Sequence, residues 1–324
     1  MGSSRHMRGG RIGRWGAVVA ASLLVGASVV AAAPASAQPA LHVNEGGNGT
    51  YLALGDSVAF GYVPAQASPA PNYFDASNFT SYANDVARAL GLSLTNASCP
   101  GETTGSMISV SAISNGCENT LGAPGGYRVS YPLHVSYTGS QLAYAVSYLK
   151  AHPHTRLVTI DIGANDAFVC EATTTDACAS PLELGAMLQG ISTNLATIYH
   201  AIRVDAGYTH ALVALDYYSL DYNSSTQNYL TGLLNQAIIG PTLAAGGIVA
   251  DGYGAFQAAS ATSGGDPCTA GLLIPVPSSS SSPSCNIHPT QLGHQVLAQA
   301  ILSALAAAHG ANGLGYGRVR ATAH

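Results

Sequence analysis

Thr50-Tyr51-Leu52-Ala53-Leu54-Gly55-Asp56-Ser57 begins as an uncharged run and closes on a glycine, an acid and a hydroxyl. A short apolar run bounded by turn residues reads as a buried strand, so the serine stands where that strand gives way to the next element. Outward from this stretch, runs rich in Val, Ile and Leu alternate with longer segments of helical period. Strands are predicted over 51–54, 92–96, 157–162, 211–215 and 247–250, and helices near 80–90, 140–151, 181–204, 226–245 and 289–308. That alternation is the pattern of parallel strands joined by crossover helices, an α/β fold.

In an open α/β sheet the ligand crevice lies beyond the carboxyl ends of the strands. Ser57 follows the first predicted strand, Gly101 in Cys99-Pro100-Gly101-Glu102-Thr103 follows the second, and Asn165 in Gly163-Ala164-Asn165-Asp166 follows the third. His288-Pro289 falls in a loop leading into the last helix and can fold back over the same edge. A serine hydroxyl is a weak nucleophile that needs a base within hydrogen-bond reach and donors for the oxyanion on the attacked carbonyl. His288 supplies the base; the Ser57 and Gly101 N–H groups and the Asn165 amide supply the donors. Glycine at 101 lets the backbone approach a substrate oxygen with no Cβ in the way.

Arg5, Arg8, Arg11 and Arg14 precede an uncharged apolar run that ends at Ala35-Ser36-Ala37, the form of a cleaved export signal over residues 1–37. The remaining 38–324 suit one large domain, expected to be secreted and monomeric with no stable membrane anchor. Four of the eleven basic residues lie in the leader, and none of the sixteen acidic ones do, which leaves a net charge of about −9. Nucleic acid is excluded as a partner, since a phosphate-tracking surface needs clustered Lys and Arg. Six cysteines in an exported chain read as three disulfides, with fifteen connectivities open. No C-x-x-C pair or His cluster has zinc spacing, so neither a metal nor another cofactor is called for.

Four blocks in this order resemble those of SGNH (GDSL-type) hydrolases: Gly55-Asp56-Ser57, Gly101, Gly163-Ala164-Asn165-Asp166 and His288-Pro289. The resemblance spans about residues 50–310. It implies a flavodoxin-like three-layer α/β/α fold with a central parallel sheet of about five strands, Ser57 as nucleophile and His288 as general base and acid. Ser57, Gly101 and Asn165 would form the oxyanion hole. Carboxylic esters of small molecules or lipids are the implied substrates, with carbohydrate acetyl esters and phospholipids as variants. A secreted binding protein with a decayed site is the alternative of another class. The chain is similar to secreted bacterial esterases and lipases with three disulfides, which supports the sequential pairing Cys99–Cys117, Cys170–Cys178 and Cys268–Cys285. The other common serine-hydrolase architecture fits less well, because no G-x-S-x-G elbow occurs in the chain.

One block departs from the family pattern. An aspartate three residues before the histidine usually orients the imidazole, and that position here is Cys285. The Cys285 main-chain carbonyl is expected to accept the His288 Nδ1 proton, giving a Ser–His dyad, with Asp266 as the rival carboxylate. Asp56 and Asp166 read as holding their own loops. His294, six residues past His288, is expected to face away, and His134 to line a groove walled by the Tyr-, Pro- and Gly-rich segments 65–78 and 115–139. His152-Pro153-His154 reads as a surface turn.

Overall fold

The computed structural model describes residues 49–277 and 284–311. The leader read over 1–37 lies outside them, as does all but Ser284 of a serine-rich spacer read over 278–284. Nine strands occur among the described residues: β1 (Thr50–Gly55), β2 (Ser93–Asn96), a small hairpin of β3 (Asn119–Thr120) and β4 (Ala123–Pro124), β5 (Thr155–Asp161), β6 (Ala211–Leu215), β7 (Ile248–Ala250), β8 (Leu273–Val276) and β9 (Ser284–Pro289). Five of them form one parallel sheet in the order β2-β1-β5-β6-β7. That is the flavodoxin-like winding, and its switch point lies between β1 and β5.

Ten helices accompany the strands among the described residues: α1 (Ser57–Phe60), α2 (Tyr82–Leu90), α3 (Thr104–Ile108), α4 (Tyr127–Ser130), α5 (Gln141–Ala151), α6 (Ala164–Thr173), α7 (Pro181–His200), α8 (Ser225–Ala244), α9 (Gly252–Ser260) and α10 (Gln291–Ala311). Successive side chains of a strand point to opposite faces, and β1 divides accordingly. Leu52 and Leu54 enter a core with Val158, Ile160 and residues of α5, α7 and α8; Tyr51 and Ala53 enter a second core with residues of α2, α9 and α10. Burial on both faces is why the strands read as continuous apolar runs rather than alternating ones.

The cysteines pair sequentially as Cys99–Cys117, Cys170–Cys178 and Cys268–Cys285, with Cα separations of 5.7, 5.4 and 5.7 Å. Among the described residues no helix is long and apolar enough to cross a membrane. Disulfides and the lack of such a helix among those residues are both consistent with a secreted protein.

Several elements differ from expectation. His288 and Pro289 lie neither in a loop nor in the last helix but in β9, which pairs antiparallel with β8 outside the main sheet and is tied by Cys268–Cys285. The last helix therefore begins at Gln291, after Thr290 N–H has bonded the Leu272 carbonyl at 2.9 Å. The Gly163-Ala164-Asn165-Asp166 motif opens α6 rather than a loop, and α9 occupies a stretch with no predicted element.

Candidate active site

Ser57 is the one position from Tyr51 to Gly61 that is not fully buried. The strand-to-helix turn presents it by close backbone packing. Gly55 has φ +132°, and a Cβ there would stand 2.1 Å from the Asp161 carbonyl oxygen, so only glycine permits β1 to lie this close to β5. The Gln141 side chain grips the same residue, accepting from Gly55 N–H at 2.6 Å and donating to its carbonyl at 3.0 Å. Asp56 caps α1 by accepting from Val58 N–H at 2.9 Å, and the helix ends after one turn at Gly61, φ +82°. Ser57 N–H is the first donor of this helix and has no acceptor inside it.

His288 Nε2 stands 2.8 Å from Ser57 Oγ, although 231 residues separate them. Its Nδ1 meets the Asn286 side-chain oxygen, and its own N–H donates to that oxygen at 3.2 Å. The expected Nδ1 partner, the Cys285 carbonyl, is thus replaced by a side chain one residue on, because β9 is extended and a carboxamide two residues back reaches the ring on its own face of the strand. Asp266 is not the orienting acid either: it closes a local turn, accepting from Cys268 N–H at 2.8 Å and Thr269 Oγ1 at 2.6 Å. Burial lowers the His288 pKa to about 4, so the imidazole is neutral near pH 7. His294 does not face away. It is buried, accepts from Tyr82 N–H at 3.3 Å, and is held to about 3, by burial first and then by the nearby His288.

Asn165 is fixed at both ends of its amide. Its oxygen accepts from Asn115 Nδ2 at 2.9 Å, and one of its two amide protons goes to Asp56 Oδ2 at 3.2 Å, which leaves the other. Asp56 is held in turn by the Tyr217 hydroxyl at 2.6 Å, and burial raises its pKa. Asp166 joins α6 to α3, accepting from Thr104 N–H at 2.9 Å and Thr104 Oγ1 at 2.6 Å, so the Gly101 and Asn165 segments move as one. Gly101 has φ +85°, and a Cβ would stand 2.6 Å from the Asn115 carbonyl oxygen. Glycine is required there by this contact within the protein, which the approach of a substrate oxygen need not explain.

A run of rings leads away from His288, starting at Tyr62, and the segments expected to wall a groove contribute Tyr73, Phe74 and Tyr131 to it. Tyr62 lies 5.0 Å from His288 between centroids, Tyr73 5.9 Å from Tyr62, Tyr131 5.2 Å from Tyr73, and Phe74 5.2 Å from Tyr131 with 74% exposure. His134 does not line this run from a free position: it staples the cluster by bonding the Phe60 carbonyl at 2.9 Å. His152 caps α5, its Nδ1 2.9 Å from the Tyr148 carbonyl. Among the described residues, one group has metal-capable donors in reach of each other, Cys99, Glu102 and Cys117, and its two sulfurs are consumed by their disulfide.

Asn286, Asn115 and Tyr217 belong to this site and were not singled out in the sequence. The first sits two residues from His288 and was open to discovery by its type; the other two lie in irregular segments whose spacing carries no signal.

The arrangement can move a proton between Ser57 and His288 while offering donors at a neighbouring point, the two needs of acyl transfer. Residues 53–296 match the GDSL-like lipase/acylhydrolase family, and the chain belongs to that family. Among solved structures it is similar to a catalytic mutant of the acetylxylan esterase Axe2 from Geobacillus stearothermophilus, at 14% identity and a TM-score of 0.51, over 86% of this chain and 99% of that one. It is also similar to phospholipase A1 from Streptomyces albidoflavus NA297, at 19% identity and a TM-score of 0.47, over 79% and 99%. At 14% identity the likeness to Axe2 is one of fold. No curated protein sequence matches the chain.

Proposed function

We propose that the protein is a secreted carboxylic ester hydrolase that works through an acyl-enzyme on Ser57. The observation that carries this reading is the 2.8 Å contact of Ser57 Oγ with a neutral, buried His288 Nε2 at the carboxyl edge of the sheet. Ser57 Oγ attacks the ester carbonyl as its proton passes to Nε2. The oxyanion is met by Ser57 N–H, Gly101 N–H and the remaining Asn165 amide proton. Collapse breaks the bond to the alcohol, which leaves with the proton from Nε2. Water then attacks the acyl carbon, gives a proton to Nε2, and the departing Ser57 Oγ takes it back as the acid is released.

Ser57→Ala should abolish hydrolysis of p-nitrophenyl esters with the melting curve unchanged, and a fluorophosphonate should label the parent at Ser57. A folded Ser57→Ala protein that turned over at the parent rate would remove the reading. Binding of a ligand without labelling would support a decayed site instead.

The run of rings beside His288 favours a second, narrower reading. The leaving alcohol must sit next to the group that protonates it, and there Tyr62 offers a ring. An alcohol with a flat face, such as an acetylated sugar, fits that side better than a bare alkyl chain does. A comparison of acetyl to palmitoyl p-nitrophenyl esters, acetylated xylan and a phospholipid separates these substrates.

A further inference from the structure

We propose that Asn286 is the positioning residue of His288, a neutral carboxamide standing where a hydrolase triad places an acid. The inference rests on the ester-hydrolase reading above and specifies how its base is held.

The His288 main-chain N–H is always a donor, and it points at the Asn286 side chain at 3.2 Å. The atom facing it must therefore be the carboxamide oxygen, which settles the amide's orientation. The same oxygen meets His288 Nδ1, and an amide oxygen can only accept. Nδ1 therefore carries the proton, and the lone pair is left on Nε2, facing Ser57 Oγ at 2.8 Å. One carboxamide thus selects the tautomer that can serve as base.

Asn286 is itself bracketed along β9. Cys285 before it is tied to Cys268, and the Ile287 carbonyl after it accepts from the Tyr218 hydroxyl at 2.7 Å. Extended backbone fixed on both sides leaves the side chain little room to leave the ring.

A carboxylate would do the same and add a charge that stabilises imidazolium; a carboxamide orients without that charge. The titratable groups facing His288 are Tyr62 from the segment after α1 and His294 from α10, neither of which brings a negative charge near neutral pH. Converting Asn286 to Asp should therefore place a negative charge directly on Nδ1.

The test is kcat and KM for p-nitrophenyl acetate across pH 3 to 9, on the parent, Asn286→Ala and Asn286→Asp. Asn286→Ala should lower kcat by about 10²-fold or more with KM little changed, within the usual worth of a general base. Asn286→Asp should recover activity over Asn286→Ala and move the acid limb of kcat/KM upward by about one pH unit or more. Parent-like kcat in Asn286→Ala, or an unmoved acid limb in a folded Asn286→Asp, would overturn the proposal. Nitrogen-15 NMR of the parent needs no variant: His288 should be protonated at Nδ1, and an Nε2–H tautomer would overturn it equally. Retained turnover in Ser57→Ala would instead remove the ester-hydrolase reading itself.

Discussion

Asn165, the proposed oxyanion donor, is held in place before a substrate arrives. Its oxygen and one amide proton are both spoken for, by Asn115 and Asp56, so the rotation that would dissipate a free carboxamide's dipole is already lost in the resting protein. Fixed donors aimed at developing charge need no reorganisation during the reaction. Asn165→Ala should lower kcat by about 10²–10³-fold with KM little altered, as measured by steady-state ester hydrolysis. Asn115→Ala should lower it less, because the donor survives and only its restraint is removed. Ser57, Gly101, Asn165 and His288 were legible from sequence because each closes a predicted strand or opens a short motif. Asn115 and Tyr217 were not, since their partners lie 50 and 161 residues away and nothing local marks them. Asn286 was masked for another reason: the customary acid position is 285, and the side chain that meets Nδ1 here is an amide one residue further.

The β8–β9 hairpin carries both His288 and Asn286, yet it lies outside the parallel sheet whose periodicity made the rest of the fold readable. Pro275 interrupts the apolar run of β8, and a proline within a run argues against a strand except at an edge, which is where β8 lies. α6 was hidden because it starts directly on Gly163, φ +133°, with no side-chain cap to announce it. The sheet strands had apolar continuity and the long helices had side-chain caps; β9 lacks the first and α6 the second. Since the hairpin depends on Cys268–Cys285 across a separation of 17 residues, replacing both cysteines by serine should cost about 3 kcal/mol by loop entropy. It should also lower kcat, because β9 holds His288, the proposed base. Replacing Cys170 and Cys178, which join the end of α6 to the segment before α7, should also cost stability yet leave kcat within about twofold, a loss in thermal melting without one in turnover. Equal kcat losses in the two double variants would separate the hairpin from any special part in catalysis.

Buried ionisable groups set how the stability of the folded chain responds to pH. Burial raises the carboxyls of Asp166 and Asp216 up to about 6, and those of Glu102 and Asp161 well above the carboxylate range. Each such group keeps its proton in the folded chain where the unfolded chain has lost it, so its contribution is complete below the unfolded pKa and is lost as pH rises through the folded one. His288 and His294, depressed to about 4 and about 3, act in the opposite sense: their contribution is present above the unfolded pKa near 6.5 and is lost as pH falls through the folded values. From about pH 4 to 6.5 the two sets oppose each other. Above 6.5 the histidines no longer change, and the carboxyls raised well above their usual range, Asp161 and Glu102 among them, draw stability downward until pH passes their folded values. Tm should therefore fall as pH rises above 6.5, with a slope of at most about 1.4 kcal/mol per pH unit for each carboxyl still protonated only in the folded chain. Asp161 is the group to alter, since both its oxygens are buried without a hydrogen-bond partner among the described residues, and Asp56 and Asp216 repel its charge. Asp161→Asn should flatten the slope and melt above the parent at pH 9; a parallel slope in calorimetry would assign the effect to Glu102, which Glu102→Gln then tests in the same way.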